Sequence, residues 1–110
     1  MKKYKTPLRY PGGKSRAIKF LDKHLPRRFE KYVEPFLGGG SMALHITQNR
    51  PRTTVWVNDL YYPVYAFWKT LQQDGERLTH ELRELKTELG ESIEAHREAF
   101  DNAKKQLASF

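Results

Sequence analysis

The sequence predicts an α/β fold in which a parallel βαβ unit is followed by helices alone. A short apolar run at residues 32–37 leads directly into three glycines, and a helix-like stretch comes next. Residues 53–58 are β-branched and aromatic, as expected of a second strand. Two strands joined by a crossover helix pair in parallel. Helices alone are predicted after this unit, because leucines at alternating spacings of four and three residues indicate an amphipathic helix.

The elements before the first strand are a shaped loop and a short helix. Two prolines and two glycines within residues 6–15 exclude regular structure there. Ser15 is a suitable N-cap for a helix that ends at Pro26. The apolar face of that helix is formed by Ile18, Leu21 and Leu25.

Ser41 is the expected N-cap of the crossover helix, which ends before Asn49. Pro63 suits the first turn of the next helix, where its missing N–H has no helical partner to lose. That helix is expected to end near Asp74 and Gly75. An internal boundary is therefore predicted near Gly75, dividing residues 1–75 from residues 76–110.

Residues 76–110 are predicted to form an antiparallel helical hairpin. Gly90 interrupts the chain, and Ser92 caps the last helix. We assign no chemistry to this hairpin, although its leucine stripe offers a docking face for a partner domain. The stripe consists of Leu78, Leu82, Leu85 and Leu89.

Charge is distributed unevenly along the chain. The 110 residues carry a net charge of +7. Residues 1–60 hold 13 Lys and Arg against 4 Asp and Glu, which gives +9, whereas residues 61–110 hold 7 against 9, which gives −2. The first half is therefore the surface that would meet a polyanion, or else a solvated basic surface without a partner.

Composition excludes several classes of function. There is no cysteine, so disulfide, thiolate and zinc-finger chemistry are excluded. The four histidines lack metal-ligand spacing, and we predict no metal site. No apolar stretch resembles a signal peptide or is long enough to span a membrane, so we expect a cytoplasmic protein with no membrane partner.

The candidate binding site is the glycine turn together with Asp59. Gly38, Gly39 and Gly40 would let a ligand approach the backbone, and the helix that follows directs its N–H groups at the same place. Asp59 ends the second strand about twenty residues later, the spacing at which a carboxylate reaches a ribose. A plain surface turn and a helix N-cap at Asp59 are the alternatives.

A phosphate-binding P-loop is a weaker interpretation of residues 12–15. These read Gly-Gly-Lys-Ser, but the P-loop motif requires a glycine where this chain has Leu8 and a strand before it.

Three blocks of the sequence together resemble the start of a Dam-type (D12 class) DNA adenine-N6 methyltransferase. They are Arg9-Tyr10-Pro11-Gly12-Gly13-Lys14, then Glu34-Pro35-Phe36-Leu37-Gly38-Gly39-Gly40-Ser41, and finally Asn58-Asp59. The resemblance covers residues 6–70. It implies a partial Rossmann-like fold, S-adenosylmethionine (SAM) as cofactor, and methyl transfer to adenine N6 in duplex DNA.

The resemblance also implies roles for individual residues. Tyr10 and Lys14 would contact SAM, with the Lys14 ammonium near its methionine carboxylate, and Asp59 would hold the ribose. Phe36 would pack against the ligand. The remaining residues of the cofactor turn would be Glu34, Pro35, Gly38, Gly39, Gly40 and Ser41. Without the neighbouring motifs, the preferred interpretations are a solvated loop lysine at Lys14 and a hydrophobic lid over the first helix at Tyr10.

The catalytic motif of the family, Asp-Pro-Pro-Tyr, is absent, since no two prolines are adjacent in this chain. In the family that motif binds the flipped-out adenine, which cannot be reached inside the base stack. We therefore identify no catalytic residue and expect the chain to be inactive alone. Its expected partners are duplex DNA and a carboxy-terminal catalytic and recognition portion, or a complementing chain. A basic nucleic-acid-binding remnant without activity is the alternative.

Overall fold

The structure is a computed structural model, and it describes residues 3–9 and 16–110. In chain order the elements are α1 (Ile18–Lys23), β1 (Lys31–Glu34), α2 (Ser41–Asn49), β2 (Thr54–Val57), α3 (Tyr62–Leu89) and α4 (Ile93–Leu107). Two compact units divide the chain at Leu60, residues 1–60 and 61–110. This division also separates the basic half of the sequence from the acidic half.

Unit 1, residues 1–60, contains the predicted βαβ unit. Strands β1 and β2 pair in parallel, with Tyr32 opposite Val55 and Glu34 opposite Val57. Helix α2 contacts both strands, and α1 contacts α2. The fold is thus a mixed helix and strand structure with a small parallel sheet, as the sequence predicts.

The core of unit 1 is formed around the start of α2, directly after the glycine turn. Its buried apolar side chains are Leu37, Met42, Ala43 and Ile46, of which Ile46 is fully buried. One face of the sheet is uncovered, because the cross-strand partners Val33 and Trp56 are both exposed. The core is therefore small for a chain of 110 residues.

Two predicted helix starts are wrong. Helix α2 has Gly40 as its N-cap, with no side-chain capping bond, so Ser41 is its first residue and not its cap. Helix α1 begins at Ile18 with Ala17 as N-cap, while Ser15 lies outside the described residues. In α2 the reason is physical, since the left-handed backbone at Gly40 already turns the chain into the helix.

Unit 2, residues 61–110, is helical. Pro63 lies in the first turn of α3, as predicted. Asp74 inside α3 has φ −152° and ψ 60°, which are not helical values. The helix is therefore kinked beside Gly75, where the sequence predicts a boundary, although it continues to Leu89.

Helix α4 turns back toward the start of α3. Ser92 is its N-cap, and the Ser92 Oγ accepts a hydrogen bond of 3.1 Å from the Ala95 N–H, as predicted. At the other end, the Tyr61 hydroxyl donates to the Leu107 carbonyl at 3.3 Å. The Tyr62 and Phe110 rings stack with centroids 6.0 Å apart.

The predicted leucine stripe of α3 is only partly covered. Leu82 and Leu85 are exposed, while Leu78 and Leu89 are half-buried. Among the described residues, no helix is both long enough and apolar enough to cross a membrane.

Candidate cofactor-binding site

The carboxyl ends of β1 and β2 meet at one edge of the sheet. Beyond the strands themselves, the Asn58 N–H donates to the Glu34 carbonyl at 3.0 Å, and the Leu37 N–H donates to the Asn58 carbonyl at 2.9 Å. These two bonds hold the glycine turn next to the end of the second strand. The second and third sequence blocks are therefore adjacent in space.

The glycine turn requires glycine at two positions. Gly38 has φ 54° and Gly40 has φ 73°, both in the left-handed region that other residues avoid. A bond of 3.0 Å from the Gly40 N–H to the Leu37 carbonyl closes the turn. The sequence Gly38-Gly39-Gly40 thus converts a strand directly into the first turn of α2.

Asp59 is bonded to this turn. Its Oδ2 atom accepts a hydrogen bond of 2.8 Å from the backbone N–H of Gly38, 21 residues earlier in the chain. The alternative that Asp59 caps α3 is not what the structure shows, since the N-cap of α3 is Tyr61 and no side chain caps it. The predicted proximity of the carboxylate and the glycine turn is present.

The segment before the first sequence block is docked on the same turn. The Thr6 hydroxyl donates a hydrogen bond to the Gly39 carbonyl. Nearby, the Tyr4 backbone and the Gln48 side-chain amide exchange two bonds, of 2.5 and 2.8 Å. Sequence reasoning missed Thr6 and Gln48, because nothing in their spacing marks them as partners.

The glycine turn itself is buried. Gly38, Gly39 and Gly40 are buried, as is Ser41. The open surface at this edge includes Pro35 and Phe36, and the Phe36 side chain is 77% exposed. A ligand here would therefore lie against Phe36 and the half-buried Asp59, with the glycines supporting the site from beneath.

Glu34 is held by a neighbouring tyrosine on its own strand. The Tyr32 hydroxyl donates to Glu34 Oε2 at 3.1 Å, since residues two apart in a strand lie on one face. Burial raises the pKa of the Tyr32 phenol above its usual value, and the charge of Glu34 and the hydrogen bond to it add to this effect. The Glu34 carboxylate is thus oriented at the end of β1.

The remaining predicted site residues, Tyr10 and Lys14, lie outside the described residues. The same holds for residues 12–15, which carry the P-loop alternative. Within the described ranges 3–9 and 16–110, no group of three His, Asp or Glu side chains is placed to hold a metal ion.

Comparison with known families places the sequence in one of them. The family model for D12 class N6 adenine-specific DNA methyltransferases matches residues 10–108. The chain belongs to this family. The match takes in Tyr10, Lys14, the glycine turn and Asp59, and it continues through α3 and α4. The family match therefore includes the helices of unit 2, beyond the residue 70 at which the sequence resemblance ends.

Individual relatives agree with this assignment. The chain is 29% identical over 98 residues to the type II methyltransferase M.MjaIII of Methanocaldococcus jannaschii, a match that covers 84% of this chain. It is 30% identical over 83 residues, or 76% of the chain, to the DNA adenine methylase of Vibrio cholerae serotype O1. The matches span 34% and 28% of these relatives, so this D12-class chain corresponds to about a third of their length.

Proposed function

We propose that this chain is the SAM-binding part of a site-specific DNA adenine-N6 methyltransferase with a partial Rossmann-like fold. The observation that carries the proposal is the bond between Asp59 and the Gly38 N–H at the carboxyl edge of a parallel strand pair. Open α/β sheets bind their ligands at this edge. Membership of the D12 class supplies the reaction, which is methyl transfer to adenine N6 in duplex DNA.

The Asp59 carboxylate fits the ribose of SAM. A carboxylate has two oxygens and about four acceptor positions, which suits the two hydroxyls of a diol. Because Gly38 fixes the orientation of the carboxylate, little side-chain entropy would be lost on binding. Asp59 would therefore both hold the turn and bind the ribose 2′- and 3′-hydroxyls.

The remaining residues of the turn fit the rest of the cofactor. Phe36 presents an exposed ring that would pack against the ligand. Gly38, Gly39 and Gly40 would set the position of the α2 N-terminus, whose first N–H groups have no side-chain cap. Tyr10 and Lys14 would complete the site, with Lys14 near the methionine carboxylate. Glu34, Pro35 and Ser41 would form the walls of the turn.

When bound, SAM supplies an electrophilic methyl group, and the residues of this chain would position it. The sequence has no Asp-Pro-Pro-Tyr motif to bind a flipped adenine. We therefore propose that the chain binds SAM but does not methylate DNA alone. A carboxy-terminal catalytic and recognition portion, or a complementing chain, would supply the adenine site. A cytoplasmic location would follow from its DNA substrate.

A second candidate function is a basic nucleic-acid-binding remnant without activity. It is favoured by the charge of +9 on residues 1–60. Its contacts would come from the basic residues near the start of the chain, Lys2, Lys3, Lys5, Arg9, Arg16 and Lys19. DNA binding that weakens steeply with salt, without any SAM binding, would favour this candidate.

Isothermal titration calorimetry of SAM into the 110-residue chain tests the first candidate. Saturable heat, with a matching change in the fluorescence of Trp56 and Trp68, is the expected result. Asp59→Ala should weaken binding by about one to two decades, since a hydrogen bond to a charged group contributes about 1.5–3 kcal/mol. Asp101→Ala in α4 is the control and should leave binding unchanged. No saturable signal at millimolar SAM would contradict the proposal.

A further inference from the structure

A cluster of arginines lies at the edge of the sheet opposite the cofactor-binding turn. The segment before β1 and the segment before β2 both reach the amino ends of the parallel strands. Together they line a shallow cavity of about 530 Å³ whose walls include Arg27, Arg28, Arg50 and Arg52. None of the described residues that line this cavity is acidic. We call this surface the arginine edge.

Arg50 organises the arginine edge. It is half-buried, and its Nη1 atom donates to the Arg27 carbonyl at 2.9 Å. Its guanidinium lies over the Phe29 ring, 4.6 Å from the centroid, and its Nη2 atom is 3.9 Å from Asp22 Oδ1. The two segments are also joined by a bond of 3.2 Å from the Thr53 hydroxyl to the Phe29 carbonyl. Arg50 is therefore a structural residue that fixes the loop carrying its neighbours.

The other three arginines of the edge are exposed to solvent. Arg27, Arg28 and Arg52 are all exposed, and among the described residues none of them forms an ion pair with a carboxylate. Glu30, the nearest acid in sequence, is exposed and does not line the cavity. Three permanent positive charges thus line one cavity, and among the described residues none of them has a carboxylate as ion-pair partner, which favours an anionic partner.

We propose that the arginine edge binds the sugar–phosphate backbone of duplex DNA, independently of sequence. Guanidinium groups match phosphate oxygens in geometry and charge, and backbone contacts position a protein without reading bases. The choice of duplex DNA rests on the proposed function, whereas the binding of phosphate rests on the arginines alone. Because this edge lies opposite the glycine turn, it would bind DNA away from the cofactor-binding site.

The test measures binding of a fluorescein-labelled, random-sequence duplex by anisotropy over a range of salt concentrations. The variant Arg27→Gln/Arg28→Gln/Arg52→Gln should weaken binding about tenfold or more at low salt. The slope of log K against log salt should fall by about 2 to 3, because each phosphate contact contributes about 0.9. Arg50 is left intact so that the loop keeps its structure.

Two control variants remove equal charge elsewhere. Arg97→Gln/Lys104→Gln/Lys105→Gln in α4 should leave affinity and slope unchanged. Lys3→Gln/Lys5→Gln/Lys19→Gln removes three of the six basic residues of the remnant candidate. An unchanged slope in the arginine variant overturns the proposal, as does loss of the slope in the lysine variant alone. Equal affinity for poly-glutamate also overturns it, because the surface would then not select phosphate.

The same variants separate this proposal from the cofactor site. The arginine variant should retain its circular dichroism spectrum and its SAM affinity. Asp59→Asn should weaken SAM binding and leave the salt slope unchanged. Loss of DNA binding in the arginine variant therefore supports the arginine edge even if SAM does not bind the chain.

Discussion

Asp59 accepts a hydrogen bond of 2.8 Å from the backbone N–H of Gly38, which joins the end of the second strand to the turn that follows the first. The backbone at Gly38 is left-handed, with φ 54°, and its N–H donates to the carboxylate. A residue selected from sequence as a ribose ligand is thus also a structural part of the turn. Substitutions at Asp59 should consequently affect both stability and cofactor affinity.

Asp59→Ala should lower the free energy of unfolding by about 1–3 kcal/mol, because it leaves the buried Gly38 N–H without its acceptor. Asp59→Asn keeps an acceptor oxygen and should lose less stability, while it removes the charge that favours the ribose hydroxyls. Urea unfolding and SAM calorimetry on both variants check this. Equal stability of Asp59→Ala and the wild type would contradict the hydrogen bond between Asp59 and the Gly38 N–H.

Gly40→Ala should destabilise unit 1 by about 1–2 kcal/mol, because a Cβ is strained at φ 73°. Gly75→Ala in α3 is the matched control. A Cβ there would meet Leu71 Cδ1 at 3.6 Å, an ordinary contact, and no positive φ is involved. The control should be neutral or stabilising by up to about 1 kcal/mol. In thermal melts, Gly40→Ala should lower the melting temperature, whereas Gly75→Ala should leave it unchanged or raise it.

The pH dependence of stability should reflect the raised pKa of the Tyr32 phenol. Its pKa is raised by burial first, and then by the charge of Glu34 and the hydrogen bond between them. The folded state therefore favours the protonated phenol, so its contribution is present below the unfolded pKa of about 10 and is lost as the pH rises above it. The measurement is the free energy of unfolding in urea, determined for the wild type and for Tyr32→Phe at about pH 8 and about pH 11. The wild type should lose more stability than the variant, and equal losses would contradict the assignment.

The purified chain should not transfer a labelled methyl group from SAM to duplex DNA. Nothing in its sequence matches the motif that binds a flipped adenine. A full-length D12-class enzyme serves as the positive control in the same assay. Label incorporated into DNA by the chain alone would show that adenine is bound by other residues.

Much of unit 1 follows from local sequence signals. The two strands, the crossover helix and the meeting of Asp59 with the glycine turn are present because apolar patterning, three glycines and parallel pairing all specify the same arrangement. The caps were harder to predict. Ser41 has a side chain typical of an N-cap, but the N-cap position is occupied by Gly40, whose backbone is left-handed.

Long-range contacts account for what the sequence could not show. The bond from Thr6 to Gly39 joins residues 33 apart, and the Gln48 contact with Tyr4 spans 44. Neither has a local signature, so the burial of the turn was not foreseen. The arginine edge was missed for the same reason, since Arg27 and Arg52 are separated in sequence and meet only through strand pairing. The assignment of residues 1–75 to cofactor binding and of residues 76–110 to a helical extension stays a prediction.

Amide NMR of the ¹⁵N-labelled chain during a SAM titration tests the proposed cofactor site most directly. The account predicts saturable shifts at the amides of Phe36, Gly38, Gly39, Gly40, Ser41 and Asp59, with those of α4 unmoved. Saturable binding with shifts confined to residues outside this edge of the sheet would contradict it.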